Sequence, residues 1–360
     1  MTREKALIGM SGGVDSSVAA HLTMAAGYDC IGATMKLYTN QAEEADSSCC
    51  SLDDVEDARS VAFRLAIPFY VFNFSQDFRT QVMDAFVCAY ENGLTPNPCI
   101  ACNRHLKFDR FLRRARELNC EKVVTGHYAQ IAYDEASGRY LLKKAADEAK
   151  DQTYFLYTLT QDQLAHTLFP LGGLTKEEVR AIAQAQGFVN AKKRDSQDIC
   201  FVPDGDYLAF MQRYTGKHYP QGSYLDLQGN VVGTHKGAVG YTLGQRKGLG
   251  IALGAPMYVC AKDMTANTVT VGPNEALFHR SLVAADWNWI AIDAVTQPLR
   301  VKAKVRSRMP EADATVYPEE NGLARVEFDQ PQRAITPGQA VVLYDGNTVI
   351  GGGTITDVIA

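Results

Sequence analysis

Residues 5–17 read KALIGMSGGVDSS, and the character of the chain changes twice within them. An apolar run from Ala6 to Met10 stops at Ser11-Gly12-Gly13, and a helix-spaced series, Val14, Val18, Leu22 and Ala26, begins directly beyond. The stretch is expected to be a strand, a glycine turn and the start of a helix. Paired glycines let the backbone approach a ligand closely, and the free N–H groups and positive dipole end of a new helix favour an anion. Three hydroxyls (Ser11, Ser16 and Ser17) crowd the same turn, which points to phosphate rather than to a plain strand-to-helix connection.

Spacing excludes two common phosphate motifs. No lysine stands where G-x-x-x-x-G-K-[ST] would place it to reach the outer phosphates, and G-x-G-x-x-G is absent. Outward from the loop, apolar runs alternate with helix-period segments to about residue 205, so an α/β fold with a Rossmann-like parallel sheet is expected. Strands are expected at 29–35, 69–72 and 121–125, helices at 53–65, 77–91 and 176–186, and a hairpin within 128–144. The two prolines of Thr95-Pro96-Asn97-Pro98-Cys99 predict a stiff extended loop, with a helix only from Asn103. One face of that helix carries Arg104, Lys107, Arg110, Arg113, Arg114 and Arg116 against Asp109. It reads equally as a solvated exterior or as a nucleic-acid contact.

Composition shifts beyond 205. Residues 1–205 are expected to form the phosphate-loop domain, 206–277 a small central domain rich in glycine and turns, and 278–360 a β-barrel-like domain. Within the last, Arg300-Val-Lys-Ala-Lys-Val-Arg-Ser-Arg308 places five basic residues at even positions. At roughly 3.3 Å per residue these would line about 26 Å of one strand face. Like charges repel, so an anion-binding face that follows a nucleic-acid backbone is expected there.

The whole chain has 360 residues, 46% of them hydrophobic, and a formal net charge of −5. That charge argues against whole-surface nucleic-acid binding and leaves room for a local basic patch. With no 18-residue apolar run and no charged-then-apolar leader, the expectation is a cytoplasmic protein without a membrane partner. Nine cysteines, an odd number, fit reduced thiols better than a disulfide framework.

The SGGVDS loop resembles that of the PP-loop ATP pyrophosphatases, which hold the β and γ phosphates while an acceptor oxygen attacks the α phosphate and pyrophosphate leaves. Further stretches resemble one family, the tRNA-specific 2-thiouridylases. They are TPNPCIACN (95–103), KFDRFL (107–112), TGHYA (125–129), KDQTYFLYTL (150–159), KKRDSQDICF (192–201), YTLGQRKGLG (241–250) and TPGQAVVLYDG (336–346), in family order from end to end.

The resemblance implies ATP-dependent adenylation of the C2 oxygen of a wobble uridine, followed by sulfur displacing AMP. Adenylation is needed because a carbonyl oxygen is a poor leaving group, and Mg²⁺ is expected to accompany the phosphates. It implies ATP contacts at Gly9, Met10, Ser11, Gly12, Gly13, Val14, Asp15, Ser16, Met35 and Gly126. It places the target base at Asn97, Pro98 and Cys99, and tRNA contacts at His127, Lys150, Asp151, Gln152, Arg306, Ser307 and Gln339. Cys200 would receive a persulfide from a sulfur-donor protein, and Cys102 would help release its sulfur; sulfide would be the donor only in an iron-sulfur alternative.

Many family members have Asp where this chain has Cys99. The resulting Cys99-x-x-Cys102 opens an alternative, in which Cys99, Cys102 and Cys200 hold an iron-sulfur cluster that delivers sulfide. Two other functions stay open at this level: a small-molecule adenylating ligase of the same superfamily, and a nucleotide-sensing binding protein. Cys49 and Cys50 have no assigned role, and the sequence leaves the oligomeric state open.

Overall fold

The computed structural model describes residues 3–38, 52–193, 199–203, 205–251 and 254–359. Strand β1 (Lys5–Gly9) lies at the centre of a five-stranded parallel sheet. Helix α1 (Val14–Ala25) follows it, then β2 (Asp29–Lys36), helix α2 (Leu52–Arg64) and β3 (Phe69–Asn73). The chain then returns to the other side of β1 as β4 (Lys122–Val124) and, after a hairpin of β5 (Gln130–Asp134) and β6 (Arg139–Lys143), as β7 (Thr167–Leu168). The strand order is β3-β2-β1-β4-β7.

The apolar run in β1 is continuous because both faces of the strand are covered. Period two sends Leu7 to one apolar cluster, with Phe86, Cys102 and Phe111, and sends Ala6 and Ile8 to the other, with Val18 and Val179. Strand order reverses between β1 and β4, and the crevice beyond their carboxyl ends is where a doubly wound sheet receives a ligand.

Two helices depart from the sequence expectation. The helical run 75–91 contains a π-turn at Arg79–Asp84. The second helical run begins at Pro98, five residues before the expected Asn103, and continues to 117. Pro98 occupies the first helical position, where its missing N–H is no loss and its fixed φ suits the helix. Asn97 caps it by accepting from the Cys99 N–H at 3.1 Å. The extended loop therefore ends at Asn97, and Cys99 and Cys102 stand one turn apart on a helix.

The central module packs helix Tyr207–Thr215 against the N-terminal domain and adds a sheet of order β10-β11-β8-β9. Its strands are β8 (Gly222–Leu225), β9 (Val231–His235), β10 (Tyr258–Asp263) and β11 (Thr268–Gly272). The C-terminal strands β12 (Phe278–Trp289), β13 (Leu299–Lys304), β14 (Ala312–Pro318), β15 (Ala324–Arg333), β16 (Ala340–Asp345) and β17 (Thr348–Ile359) close into a six-stranded barrel. Pairing of β12 with β17 makes the closure, which removes the sheet edges. The β5–β6 hairpin attaches to this barrel through Thr348 opposite Lys143. A shared apolar cluster of Phe108, Tyr154 and Leu156 with Ile290, Val342 and Tyr344 joins the two domains.

The five-charge strand face is not formed. Strand β13 ends at Lys304, and the chain turns, so only Arg300, Lys302 and Lys304 share a face. Acids from the adjacent strand β14 and the next strand β15 answer two of them: Lys302 lies opposite Asp313 in register, and Arg300 pairs with Asp329. The basic helix is compensated in the same way. Arg104, Arg110 and Arg116 pair with Asp286, Asp77 and Asp162, acids distant in the chain, and Arg113 and Arg114 pair locally with Asp109 and Glu117. Such exposed pairs contribute little stability, about 0–1 kcal/mol each. They leave this helix face far less positive than its sequence suggests. Among the described residues no helix is long and apolar enough to cross a membrane.

Candidate active site

The loop after β1 and the loop after β4 meet at the crevice. Gly12 has φ +77°, and a Cβ there would sit 2.3 Å from the Asp54 carbonyl oxygen, so the turn requires glycine. A Cβ on Gly126 would fall 2.7 Å from Ser16 N and 2.8 Å from Asp15 C, so this second glycine lets the β4 loop lie directly against the first turn of α1. Gly13 caps α1 without a side-chain hydrogen bond. The loop is braced from within: Ser11 N–H donates to Ser16 Oγ (3.1 Å), and Ser16 Oγ and Ser17 Oγ each donate to Gly13 O (3.0 Å). Backbone N–H groups of a helix start are thereby held in place beside close-approach glycines, a geometry that suits a phosphate. Met10 is buried at the strand end, Val14 is buried in the helix, and Met35 packs against the cluster that holds Cys102.

Two further residues belong to this site and are not apparent from the motif. Lys176, the first residue of helix Lys176–Ala185, places Nζ 2.7 and 2.8 Å from the two Asp15 carboxylate oxygens, and Tyr128 Oη donates to Asp15 Oδ1 at 2.9 Å. Asn190, 3% exposed, donates through Nδ2 to Gly12 O and Ser17 Oγ, both at 2.9 Å. The only sequence signals were the Thr175–Glu178 capping box ahead of Lys176 and the nearness of Asn190 to the KKRDSQDICF stretch. Close by, Lys193 Nζ is held by Asp54 (2.6 Å) and Asp57 (2.7 Å). The segment leading towards Cys200 is thus fastened both to the phosphate loop and to α2.

Cys102 is buried in the same apolar cluster on whose margin Cys200 packs half-buried, while Cys99 is exposed near the start of the 98–117 helix. Cys30, Cys88, Cys99, Cys102, Cys120, Cys200 and Cys260 are all free of disulfides. Among the described residues no three His, Cys, Asp or Glu side chains are grouped to hold a metal. Cys99, Cys102 and Cys200, which the cluster alternative would need to converge, form no such group in this conformation. Cys49, Cys50 and the whole RDSQD stretch (194–198) lie outside the described residues.

Three family models divide the chain: a tRNA methyl transferase HUP domain over residues 4–204, a tRNA methyl transferase PRC-barrel domain over 208–273 and an aminomethyltransferase beta-barrel domain over 279–355. The chain is 52% identical over 358 residues to the tRNA-specific 2-thiouridylase MnmA of Acetivibrio thermocellus, covering 99% of this chain and 100% of that protein. It is 51% identical to the protein of the same name from Clostridioides difficile, covering 98% of each. This chain belongs to the tRNA-specific 2-thiouridylase family.

The residues expected to hold tRNA in a 2-thiouridylase are largely engaged with the protein itself. His127 is buried against Phe108 and Phe169, with Nδ1 2.7 Å from Thr125 Oγ1. Burial, then the charge of Lys107, holds its pKa well below the ordinary imidazole value, so the ring is neutral at pH 7 and provides no cation for a phosphate. Arg306 donates through Nη2 to Leu243 O (2.9 Å), Ala334 O (3.2 Å) and Thr336 Oγ1 (2.7 Å), tying the central module to the barrel. Gln339 Nε2 donates to Thr95 O (2.8 Å), and Pro337 O accepts from Thr95 N–H (2.9 Å), so the barrel carries the 95–97 loop. Gln152 Oε1 accepts from Tyr128 N–H, and Asp151 accepts from Ala145 N–H and Thr153 Oγ1. Burial raises the Asp151 pKa. Lys150 and Ser307 are partly exposed, as is the segment 96–97.

Proposed function

We propose that the protein is an ATP-dependent tRNA 2-thiouridylase. ATP with its Mg²⁺ is taken as substrate by Gly9–Ser16, Met35 and Gly126, and the loop's N–H groups hold the outer phosphates. The C2 oxygen of the wobble uridine, presented beside Asn97, Pro98 and Cys99, attacks the α phosphorus, and pyrophosphate leaves. The terminal sulfur of a Cys200 persulfide then attacks C2, and AMP departs with the original oxygen. Cys102 thiolate attacks Cys200 Sγ, forming a disulfide as the C2-bound sulfur leaves with the electron pair. A two-electron reductant, such as a dithiol, resets the pair to two thiols, and a persulfide donor protein reloads Cys200 by passing its terminal sulfur to the Cys200 thiolate while its own cysteine leaves as a thiol.

The reading is carried by one observation: a two-glycine cradle at the switch point, in a chain that shares half its residues with named 2-thiouridylases from end to end. The family model's description mentions methyl transfer, but a cradle for a triphosphate suits adenylation. On this reading His127, Arg306, Gln339, Asp151 and Gln152 shape the tRNA face by fixing the loops beneath it, and Lys150 and Ser307 face the nucleic acid.

The test incubates purified protein with unmodified tRNA, ATP, Mg²⁺ and a persulfide donor, followed by nucleoside mass spectrometry. 2-Thiouridine formed only when all components are present is the expected result. Pyrophosphate release driven by a small metabolite instead of tRNA would refute it. Anaerobic purification with iron and sulfide assays addresses the sulfur route, because activity that requires stoichiometric iron would replace the persulfide with a cluster on Cys99, Cys102 and Cys200.

A further inference from the structure

The phosphate loop contains no lysine, and it contains a carboxylate, Asp15, in the first turn of the helix that is to receive several negative charges. Tertiary structure alters that balance. Lys176 comes from 161 residues further along the chain, contacts both oxygens of Asp15, and has a side chain only 9% exposed. Tyr128 Oη supplies a third hydrogen bond to the same carboxylate, and the Lys176 ammonium lies 5.7 Å from the Tyr128 ring centre. The lysine backbone is held as well, because its N–H donates to Asp147 Oδ2 at 3.1 Å and the Thr175 capping box fixes the helix start.

A need for helix stability does not explain this arrangement. An acid in the first turn is already favoured by the helix dipole, and a largely buried ion pair is a poor source of stability because desolvation offsets its attraction. A ligand's charge does explain it. Asp15, with its side chain 30% exposed, is only partly screened by solvent, so uncompensated it would oppose a triphosphate. We propose that Lys176 is the counter-charge of the phosphate loop: a positioning residue that neutralises Asp15 so that the first turn of α1 accepts the β and γ phosphates. The proposal rests on the ATP-binding reading above and names the residue that makes the loop selective for the pyrophosphate moiety.

Calorimetric titration of the full-length protein with ATP, pyrophosphate and AMP, with a thermal melt of each variant, provides the test. Lys176→Met is expected to weaken ATP and pyrophosphate by about 10- to 100-fold, the range of a charge-assisted contact, and AMP by no more than about twofold. Lys176→Arg keeps the charge and should retain most of the affinity. The double variant Asp15→Asn with Lys176→Met removes both charges and should regain most of the ATP affinity lost in Lys176→Met. It also leaves no unpaired buried charge, so it stays measurable if the single variant melts too early; a loss of ATP affinity in it well short of about 10-fold then supports the proposal, and a loss of about 10-fold or more overturns it. Equal losses for AMP and ATP, or a double variant no better than Lys176→Met, would overturn the proposal. A wild-type protein that binds neither ATP nor pyrophosphate would instead strike at the function proposed above.

Discussion

Gly126→Ala is a direct test of the crevice. The added Cβ would lie 2.7 Å from Ser16 N and 2.8 Å from Asp15 C, about 0.7 Å inside the 3.4 Å at which ordinary contact begins. Both atoms are backbone at the start of α1, so no flexible side chain can move aside. Either the β4 loop or the phosphate loop must shift by most of that distance. Overpacking of this kind destabilises by about 1–3 kcal/mol, and a displacement approaching 1 Å in a reacting site lowers rates by about 100-fold. ATP affinity is expected to fall about 10- to 100-fold, with a modest drop in melting temperature and a larger loss of pyrophosphate release. Gly173→Ala serves as control, because its Cβ would meet nothing within 4 Å and its φ is ordinary. Calorimetry for ATP, a thermal melt and a coupled pyrophosphate assay read the three effects. If Gly126→Ala binds ATP as the wild type does, or if Gly173→Ala fails equally, the packing of the β4 loop on the phosphate loop does not shape the site.

Cys200→Ser should abolish 2-thiouridine formation while tRNA affinity stays unchanged, and full thiolation by mass spectrometry would remove Cys200 from the sulfur route. Arg306→Leu removes the donor to Leu243 O and Thr336 Oγ1, leaving Ala334 O only its bond from Thr336 Oγ1, and should lower stability by about 2–5 kcal/mol in urea denaturation. The salt slope of its tRNA binding should not change, whereas a slope reduced by about one would make Arg306 a phosphate contact. Lys262 lines a cavity of about 680 Å³ between the modules, and burial pulls its pKa from 10.5 down to about 8. Between those values the unfolded chain holds a proton that the folded chain has released, so this lysine makes stability rise with pH across that window. The destabilisation it causes is fully present below pH 8. Lys262→Met should therefore lose its relative advantage between pH 8 and 10 in paired urea titrations, and a constant difference across that range would rule out the shift.

Local sequence was sufficient wherever local chemistry decides. The run at Ala6–Met10 had to be a covered strand, Ser11-Gly12-Gly13 had to turn and Val14 onward had to be a helix, because periodicity and glycine content act over neighbouring residues. The ordered motifs from 95 to 346 likewise carried the family. Sequence reading fell short where charge and position depend on partners far away in the chain. Arg300 to Arg308 looked like a bare cationic edge because Asp313 and Asp329 belong to other strands, and its last residues leave the face because β13 ends at Lys304. The proline pair looked like a loop throughout, yet Pro98 begins a helix once Asn97 caps it. Lys176 and Asn190 could not be placed on the phosphate loop from spacing, since only the packing of helix Lys176–Ala185 and its trailing segment against α1 brings them there. The sequence by itself thus determined the strand, the glycine turn and the helix that follows it. Tertiary structure decided which charges surround that loop, because electrostatic neighbours are set by distance in space rather than by separation along the chain.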